Sequence, residues 1–246
     1  MDRLFGIHAV TAALEAGRPL DRVLIARGAG GPRMQAVIDA CRQLGVPVRF
    51  EPRDRLDKEA RGGVHQGVVA FGSARRAVEL ADVLEEAEDD ALVVVADGVE
   101  DPHNLGAIIR SAHAAGAVAL ITPERRSVGM TDTVAKAAAG ALEFLPVARV
   151  KNINRALDDL KEAGFWVYGL DERGEETCWE IDWTGKTALV LGAEGHGLHR
   201  LTAEKCDRLA RIPMQGQVAS LNVSVAAGVA LFEAVRQRSD AERKRQ

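Results

Sequence analysis

The sequence predicts an α/β protein in two parts, a small α/β/α unit followed by a larger unit built on a parallel sheet. Three observations carry that expectation. Short apolar runs alternate with segments of helical periodicity along most of the 246 residues. The run Ala91-Leu92-Val93-Val94-Val95-Ala96 is apolar throughout and centred on β-branched residues, as a strand covered on both faces requires. Charge also divides the chain: residues 1–76 hold 13 Lys+Arg against 8 Asp+Glu, a balance of +5, while the remainder stands at −9.

In the first part, an apolar-periodic helix over 7–16 ends at Gly17, and 23–26 reads as a strand. A second helix over 32–44 opens with Pro32 in its first turn and stops at Gly45. A strand over 46–50, a short helix over 53–60, the polar turn Gly62 to Gly67 and a strand over 67–71 complete the unit. Residues 73–90 read as the connection, with Arg75-Arg76 followed by an acidic helix over 80–87. After the strand at 91–96, further strands are expected at 118–121, 144–147, 166–170, 188–191 and 209–212, with helical segments between them. That alternation is βαβ and gives a largely parallel sheet. The expected organisation is therefore a domain at 1–72, a linker at 73–90 and a second domain at 91–246, whose charged tail (240–246) frays.

Composition bounds the function classes. An apolar content of 47% with 28% charged residues describes an ordinary globular chain, and no apolar run is long enough to span a bilayer. The first residues show no signal-peptide pattern. Cys41, Cys178 and Cys206 are few and widely spaced, which suits neither a disulfide framework nor a zinc site and points to a reducing cytoplasm. The cations of the first part are almost all arginines, whose forks suit phosphates and base edges, so an RNA-facing module and a solvated surface are both open readings.

Three polar loops fall just after strands, where open α/β sheets build their sites. The first, Asp97 to Arg110, lacks the G-x-G-x-x-G of a dinucleotide site, which argues against an oxidoreductase. It places Asn104 at a helix start, with Arg110 six residues on in an otherwise apolar helix, where it needs an anionic partner from the protein or from a substrate. The second, Gly192-Ala193-Glu194-Gly195-His196-Gly197, carries a carboxylate that would repel phosphate, so a hydroxyl-rich or cationic ligand fits better. His196 and His199 have metal-like spacing without an accompanying acidic or Cys cluster, so no metal is expected. The third, Ile212 to Ser224, delivers Ser220 and Asn222 to the mouth of a helix, as capping residues or as site residues. That helix is apolar on almost every side, which places it deep in the core or against a second subunit.

Taken in order, Asp101-Pro-His-Asn104-Leu-Gly106-Ala-Ile-Ile-Arg110, Leu191-Gly192-Ala-Glu194-Gly195, and Ile212-Pro213-Met214 through Ser220-Leu221-Asn222-Val-Ser224 resemble the signature motifs of the SpoU (TrmH-like) class of RNA ribose 2′-O-methyltransferases, in the SPOUT superfamily. Phe5-Gly6-Ile7-His8-Ala9-Val10 and Val64-His65-Gln66-Gly67 resemble the small RNA-binding domain of the 23S rRNA guanosine-2′-O-methyltransferase branch, so the likeness runs from about residue 4 to 238.

The resemblance implies an L30e-like first domain and a deep trefoil knot in the second, which general topology rules would argue against. It implies S-adenosylmethionine as methyl donor, S-adenosylhomocysteine as product, no metal, and a homodimer formed through the methyltransferase domain. The implied partner is 23S rRNA in the cytoplasm, with no DNA and no membrane. By motif matching, Gly192, Ile212 and Leu221 hold the adenosine part, with Glu194, Gly195, Met214 and Ser220 alongside. Asn104, Arg110, Glu194, Ser220 and Asn222 surround the reacting centre, and His196 has no assigned role. A guanidinium stays protonated, so the resemblance is best served by an Arg110 that clamps the neighbouring phosphate and stabilises a developing alkoxide. The alternatives are a tRNA ribose methyltransferase of the same class and an RNA-binding assembly factor with an idle site.

Overall fold

A computed structural model describes residues 2–73, 78–125, 127–195, 197–218 and 220–245. Arg75, Arg76 and His196 lie outside the described residues. The chain forms two compact units, Met1–Arg76 with Ala139–Phe144, and Ala77–Ala138 with Leu145–Gln246.

The first unit runs β1 (Asp2–Phe5), α1 (Ile7–Glu15), β2 (Leu20–Ala26), α2 (Pro32–Gln43), β3 (Val48–Glu51), α3 (Arg53–Ala60) and β4 (Val68–Gly72). Its sheet has the order β1-β4-β2-β3, with β4 antiparallel to both neighbours and β2 parallel to β3. Alternation along β2 sends Val23 and Ile25 to a core shared with α1 and α2 (Val10, Met34, Val37) and Leu24 and Ala26 to a second core holding Leu56 of α3. Helices α1 and α2 thus pack on one face of this sheet and α3 on the other. The third strand starts later than its apolar run because Pro47 has no N–H for the ladder; its carbonyl accepts from Val23 N at 2.9 Å instead. Strand β1 was not expected, since only Leu4 of its four residues is buried.

The stretch Ala139–Phe144, a single 3-10 turn at Ala141–Glu143, belongs to this first unit although it lies far along the sequence. Gly140, at φ +94°, comes so close to α1 that a Cβ there would stand 2.8 Å from that of Ala12. Glu143 accepts from Arg18 at 3.1 Å, both side chains being over nine-tenths buried, and Arg18 also reaches Asp2 Oδ2 at 2.7 Å.

The second unit continues with α4 (Leu80–Glu85), β5 (Leu92–Ala96), α5 (Pro102–Ala114), β6 (Ala119–Pro123), α6 (Asp132–Ala137), β7 (Val147–Val150), α7 (Ile153–Glu162), β8 (Trp166–Leu170), β9 (Glu176–Thr177), β10 (Thr187–Leu191), α8 (Arg200–Lys205), β11 (Arg208–Arg211) and α9 (Val223–Arg245). Strands β5 to β11 form one sheet in the order β7-β6-β5-β10-β8-β11-β9, every pairing parallel. Helix α4 packs Val83 into the core of this sheet, so it is part of the second unit and not of a linker. Strand β7 begins at Val147, not at Phe144, because Pro146 ends the preceding segment and offers its carbonyl to Leu120 N.

Register explains where a site can form. Thr187–Leu191 pairs residue for residue with Leu92–Ala96 on one side and Trp166–Leu170 on the other. Three strands therefore end level, and the loops that begin at Asp97, Asp171 and Gly192 leave one edge side by side. Helix α5 lies between α6 and α9. A Cβ on Gly106 would stand 2.4 Å from Ala137 Cβ, so α5 and α6 meet backbone to side chain with no room between. Helix α9 buries Ala227, Ala230, Leu231 and Ala234 but leaves Val225 and Phe232 each 52% exposed. It is thus covered on one side of this chain only.

Candidate active site

Helix α5 starts earlier than the sequence suggested. Asp101 is its cap, accepting His103 N at 2.8 Å, and Pro102 takes the first helical position. Asn104 therefore sits inside the first turn, buried, with its side chain released from capping. Its Nδ2 donates to Glu194 Oε2 at 2.9 Å, and its Oδ1 accepts from Asn222 Nδ2 at 2.9 Å. Asn222 Nδ2 also donates to Glu194 Oε1 at 3.1 Å. Three side chains, from the first turn of α5 and from the loops after β10 and β11, thus close a ring.

Asn222 does two things at once. Its Oδ1 caps α9, accepting from Ser224 N at 2.9 Å and Ser224 Oγ at 2.6 Å, which leaves the amide nitrogen to face the other two side chains. Ser220, which the sequence places beside it at the helix mouth, makes no capping bond among the described residues; it stands outside the helix and lines the cleft instead. Both Glu194 oxygens accept amide donors, so the carboxylate is held in one orientation.

The loop carrying Glu194 is built tightly. Ala193 and Gly197 exchange backbone hydrogen bonds at 3.0 and 3.1 Å. A Cβ on Gly192 would stand 2.2 Å from the Gly197 carbonyl, so only glycine fits there. Asp171, just past β8, anchors the far end of the loop by accepting Leu198 N at 3.0 Å. Its two oxygens also take Arg173 Nε and Nη2, each at 2.7 Å. The Arg173 hydrogen bonds, helped by the two backbone donors and opposed by burial, hold the Asp171 carboxyl down at about 2. At the other side Asp97 Oδ2 accepts Thr202 Oγ1 at 2.6 Å and faces His199 Nδ1 at 3.1 Å, tying the first loop to the start of α8.

These loops wall a cleft of about 870 Å³, its open mouth included. Gly192, Glu194, Gly195 and Ile212 line it, and so do Met214, Ser220 and Leu221. Leu191, Ile212, Leu221 and Ala226 supply apolar surface, while Asp171, Glu172 and Glu194 bring carboxylates; no cationic side chain is among the described lining residues. Such a set suits a ligand with a flat apolar part and positive charge. Asp171 and Glu172 were missed from the sequence. Their signal was their place just past a strand that ends level with its neighbours, without the glycines that drew notice elsewhere.

Arg110 is not brought to this ring. It faces outward from α5, on a different face from Asn104, and among the described residues its side chain makes no hydrogen bond or ion pair. The structural partner that an Arg in an apolar helix could have had is not found among the described residues.

Comparison with known proteins gives the following. Residues 91–232 match the SpoU rRNA Methylase family, and residues 3–77 match the family of RNA 2′-O ribose methyltransferase substrate-binding domains. The 23S rRNA (guanosine-2′-O-)-methyltransferase RlmB of Xylella fastidiosa is 47% identical over 240 residues, 96% of either chain. The Escherichia coli K12 protein of the same name is 44% identical, over 97% of this chain and 99% of the other. Among solved structures, the SpoU methyltransferase AviRb from Streptomyces viridochromogenes in complex with AdoMet is similar with a TM-score of 0.80 and 28% identity, over 96% of this chain and 90% of that one.

Proposed function

The chain belongs to the SpoU rRNA methylase family, and on that premise we propose that it methylates the ribose 2′-hydroxyl of a guanosine in 23S rRNA with S-adenosylmethionine. The observation that carries the reading is the Asn104–Glu194–Asn222 ring beside a cleft of apolar surface and carboxylates. That donor set fits S-adenosylmethionine, whose sulfonium and ammonium are cationic and whose adenine is flat and apolar. When bound, it supplies the methyl carbon, and S-adenosylhomocysteine is the product.

The chain's residues divide the work. Gly192, Ile212 and Leu221 hold the adenosine part, largely through backbone, with Gly195, Met214, Glu194 and Ser220 closing around it. Asn104 and Asn222 fix Glu194 and with it the place where the ribose hydroxyl meets the methyl group, and Ser220 lies beside them. Alignment of that hydroxyl supplies much of the rate. Arg110 clamps the adjacent phosphate and stabilises the developing alkoxide, and a phosphate oxygen or water takes the proton. Its guanidinium, exposed and without an ion pair among the described residues, supports a role toward RNA.

Val225 and Phe232, exposed along α9, support a homodimer through this unit, which would also bring one subunit's α5 to its partner. The trefoil knot is supported by the strand order, in which β10 enters between β5 and β8, and β11 between β8 and β9. The arginine-rich first unit, an L30e-like RNA-binding domain in this reading, engages the rRNA. The protein acts in the cytoplasm; no described helix is long and apolar enough to cross a membrane.

Transfer of labelled methyl groups to naked 23S rRNA and to total tRNA, followed by mapping of 2′-O-methyl positions, tests the proposal. Label on one guanosine of 23S rRNA is the expected result. Label on tRNA alone would move the substrate, and no transfer to either would reduce the protein to an RNA-binding factor.

A further inference from the structure

A second cavity opens at the opposite edge of the large sheet, where β8, β10 and β11 begin. Trp166, the first residue of β8, stands at its mouth with 53% of its surface exposed. Its ring lies parallel to that of Tyr168, the planes 10° apart and the centroids 6.4 Å apart. Tyr168 in turn packs edge-on against the buried Trp183 at 5.1 Å. Tyr168 is 5% exposed and lines the cavity. Its hydroxyl has no hydrogen-bond partner among the described residues, yet it is not one of the sealed polar atoms, so it opens into that space. A hydroxyl that opens into the cavity and makes no bond within the described chain is free to bond a ligand there.

The rim decides the sign of that ligand. Asp182 engages one oxygen with Thr184 N and Oγ1, at 2.9 and 2.6 Å, and its other oxygen makes no hydrogen bond among the described residues. Glu180 does likewise, Oε2 taking Thr177 N at 2.7 Å while Oε1 has no hydrogen bond among the described residues. Asp89 is the third carboxylate on the lining. Two cations also border the cavity, one of them paired with a carboxylate. Arg208 pairs with Glu176 at 2.6 Å, and the Lys186 ammonium sits 5.8 Å from the Phe165 ring centre. The Tyr168 hydroxyl feels the balance: burial raises its pKa most, and Asp182, Asp207 and Glu176 add to this more than Arg208 takes away. Three carboxylates outnumber the two cations on this lining, so the rim favours a cation, and Trp166, stacked on Tyr168 and still half exposed, offers it aromatic surface.

We propose that this cavity is a guanidinium site, taking an arginine side chain against the Trp166 face, with Asp182 and Glu180 accepting its N–H groups and the Tyr168 oxygen accepting one more. The planar fork is favoured over an ammonium because it can stack on the indole and bond to carboxylates in its own plane at the same time. The site lies at the strand starts, so it is separate from the cleft at the strand ends, and it does not rest on the methyl-transfer reading.

Tryptophan fluorescence of the full-length protein, titrated with N-acetyl-arginine amide, tests it. Saturable quenching is expected, and Asp182→Asn, which keeps an oxygen for the Thr184 turn but loses the charge, should weaken it about tenfold. Calorimetry with Trp166→Ala, a change at an exposed side chain, should show the heat of binding lost. A peptide bearing several arginines separates the two sources of this chemistry: much tighter binding than the amide indicates a basic protein segment, and equal affinity indicates a small free ligand. Non-saturable quenching, titrations unchanged by Asp182→Asn, or saturation by guanosine monophosphate in place of the arginine amide would overturn the proposal.

Discussion

Replacing Asp171 by Asn removes the charge that pins the Glu194 loop while leaving the side chain's shape. Its carboxyl is held at about 2 against an ordinary 3.8. At about 1.4 kcal/mol per unit, that depression corresponds to about 2 kcal/mol of folding stability at neutral pH. The bond count gives a similar figure, since Asn cannot match the charge-assisted contacts to Arg173, and such bonds contribute about 1.5–3 kcal/mol. For a chain of this size the loss should lower Tm by roughly 4–8 °C at pH 7. A carboxyl whose pKa is depressed on folding stabilises the protein above its unfolded value, and the benefit goes as pH falls toward the folded value. Thermal unfolding should therefore show a gap between wild type and Asp171→Asn that is full at pH 5 to 7 and narrows from pH 4 down toward 2. Because Leu198 ends the Gly192–Gly197 loop, the Kd for S-adenosylmethionine measured by calorimetry should rise as well. A gap that stays constant down to pH 3, or no gap at pH 7, would refute the argument that charge at Asp171 holds this loop.

Arg110→Ala should abolish methyl transfer while leaving both Tm and donor affinity close to wild type, because the side chain has no partner among the described residues; a collapse of donor binding would make its role structural. Asn222→Ala should cost about 1 kcal/mol through the lost cap as well as activity. Asn222→Asp preserves the cap but sets a second carboxylate against Glu194, so it should lose methyl transfer with a smaller fall in Tm; near-normal turnover would exclude the ring from the site. Gly106→Ala should destabilise by about 1–3 kcal/mol in denaturant unfolding, reversing the usual helix preference for Ala, because the added methyl has no room against Ala137. A stabilised variant would show that α5 and α6 are less closely packed.

The loops after β5, β10 and β11 could be read in the sequence because each sets polar residues or glycines at the end of an apolar run, a local contrast. Asn222 could be read as a cap for the same reason. What joins them was hidden. Nothing near Asn104 announces a partner 90 residues on, and Asp171 beside Glu172 reads as ordinary solvated acid until the parallel register sets β8 level with β10. Arg110 was legible as an unusual residue, but whether the fold supplies it a partner was not, since pairing is a property of the whole fold. Strands β1 and β9 escaped because they are short and only partly buried, and their existence depends on neighbours supplied from elsewhere.

The pairing of Arg18 with Glu143 bears on inheritance as much as on structure. A gene fragment ending near residue 76 would encode every strand of the first unit yet omit one of the two carboxylates that neutralise a buried guanidinium. Exchange of this unit between relatives by a single crossover would leave that charge facing whatever the recipient encodes at the distant position. Loss of one partner from a buried pair costs about 3–5 kcal/mol, enough to remove many such recombinants. The two halves of this gene are thereby bound to travel together, and their joint history should show in the correlated substitution of positions 18 and 143.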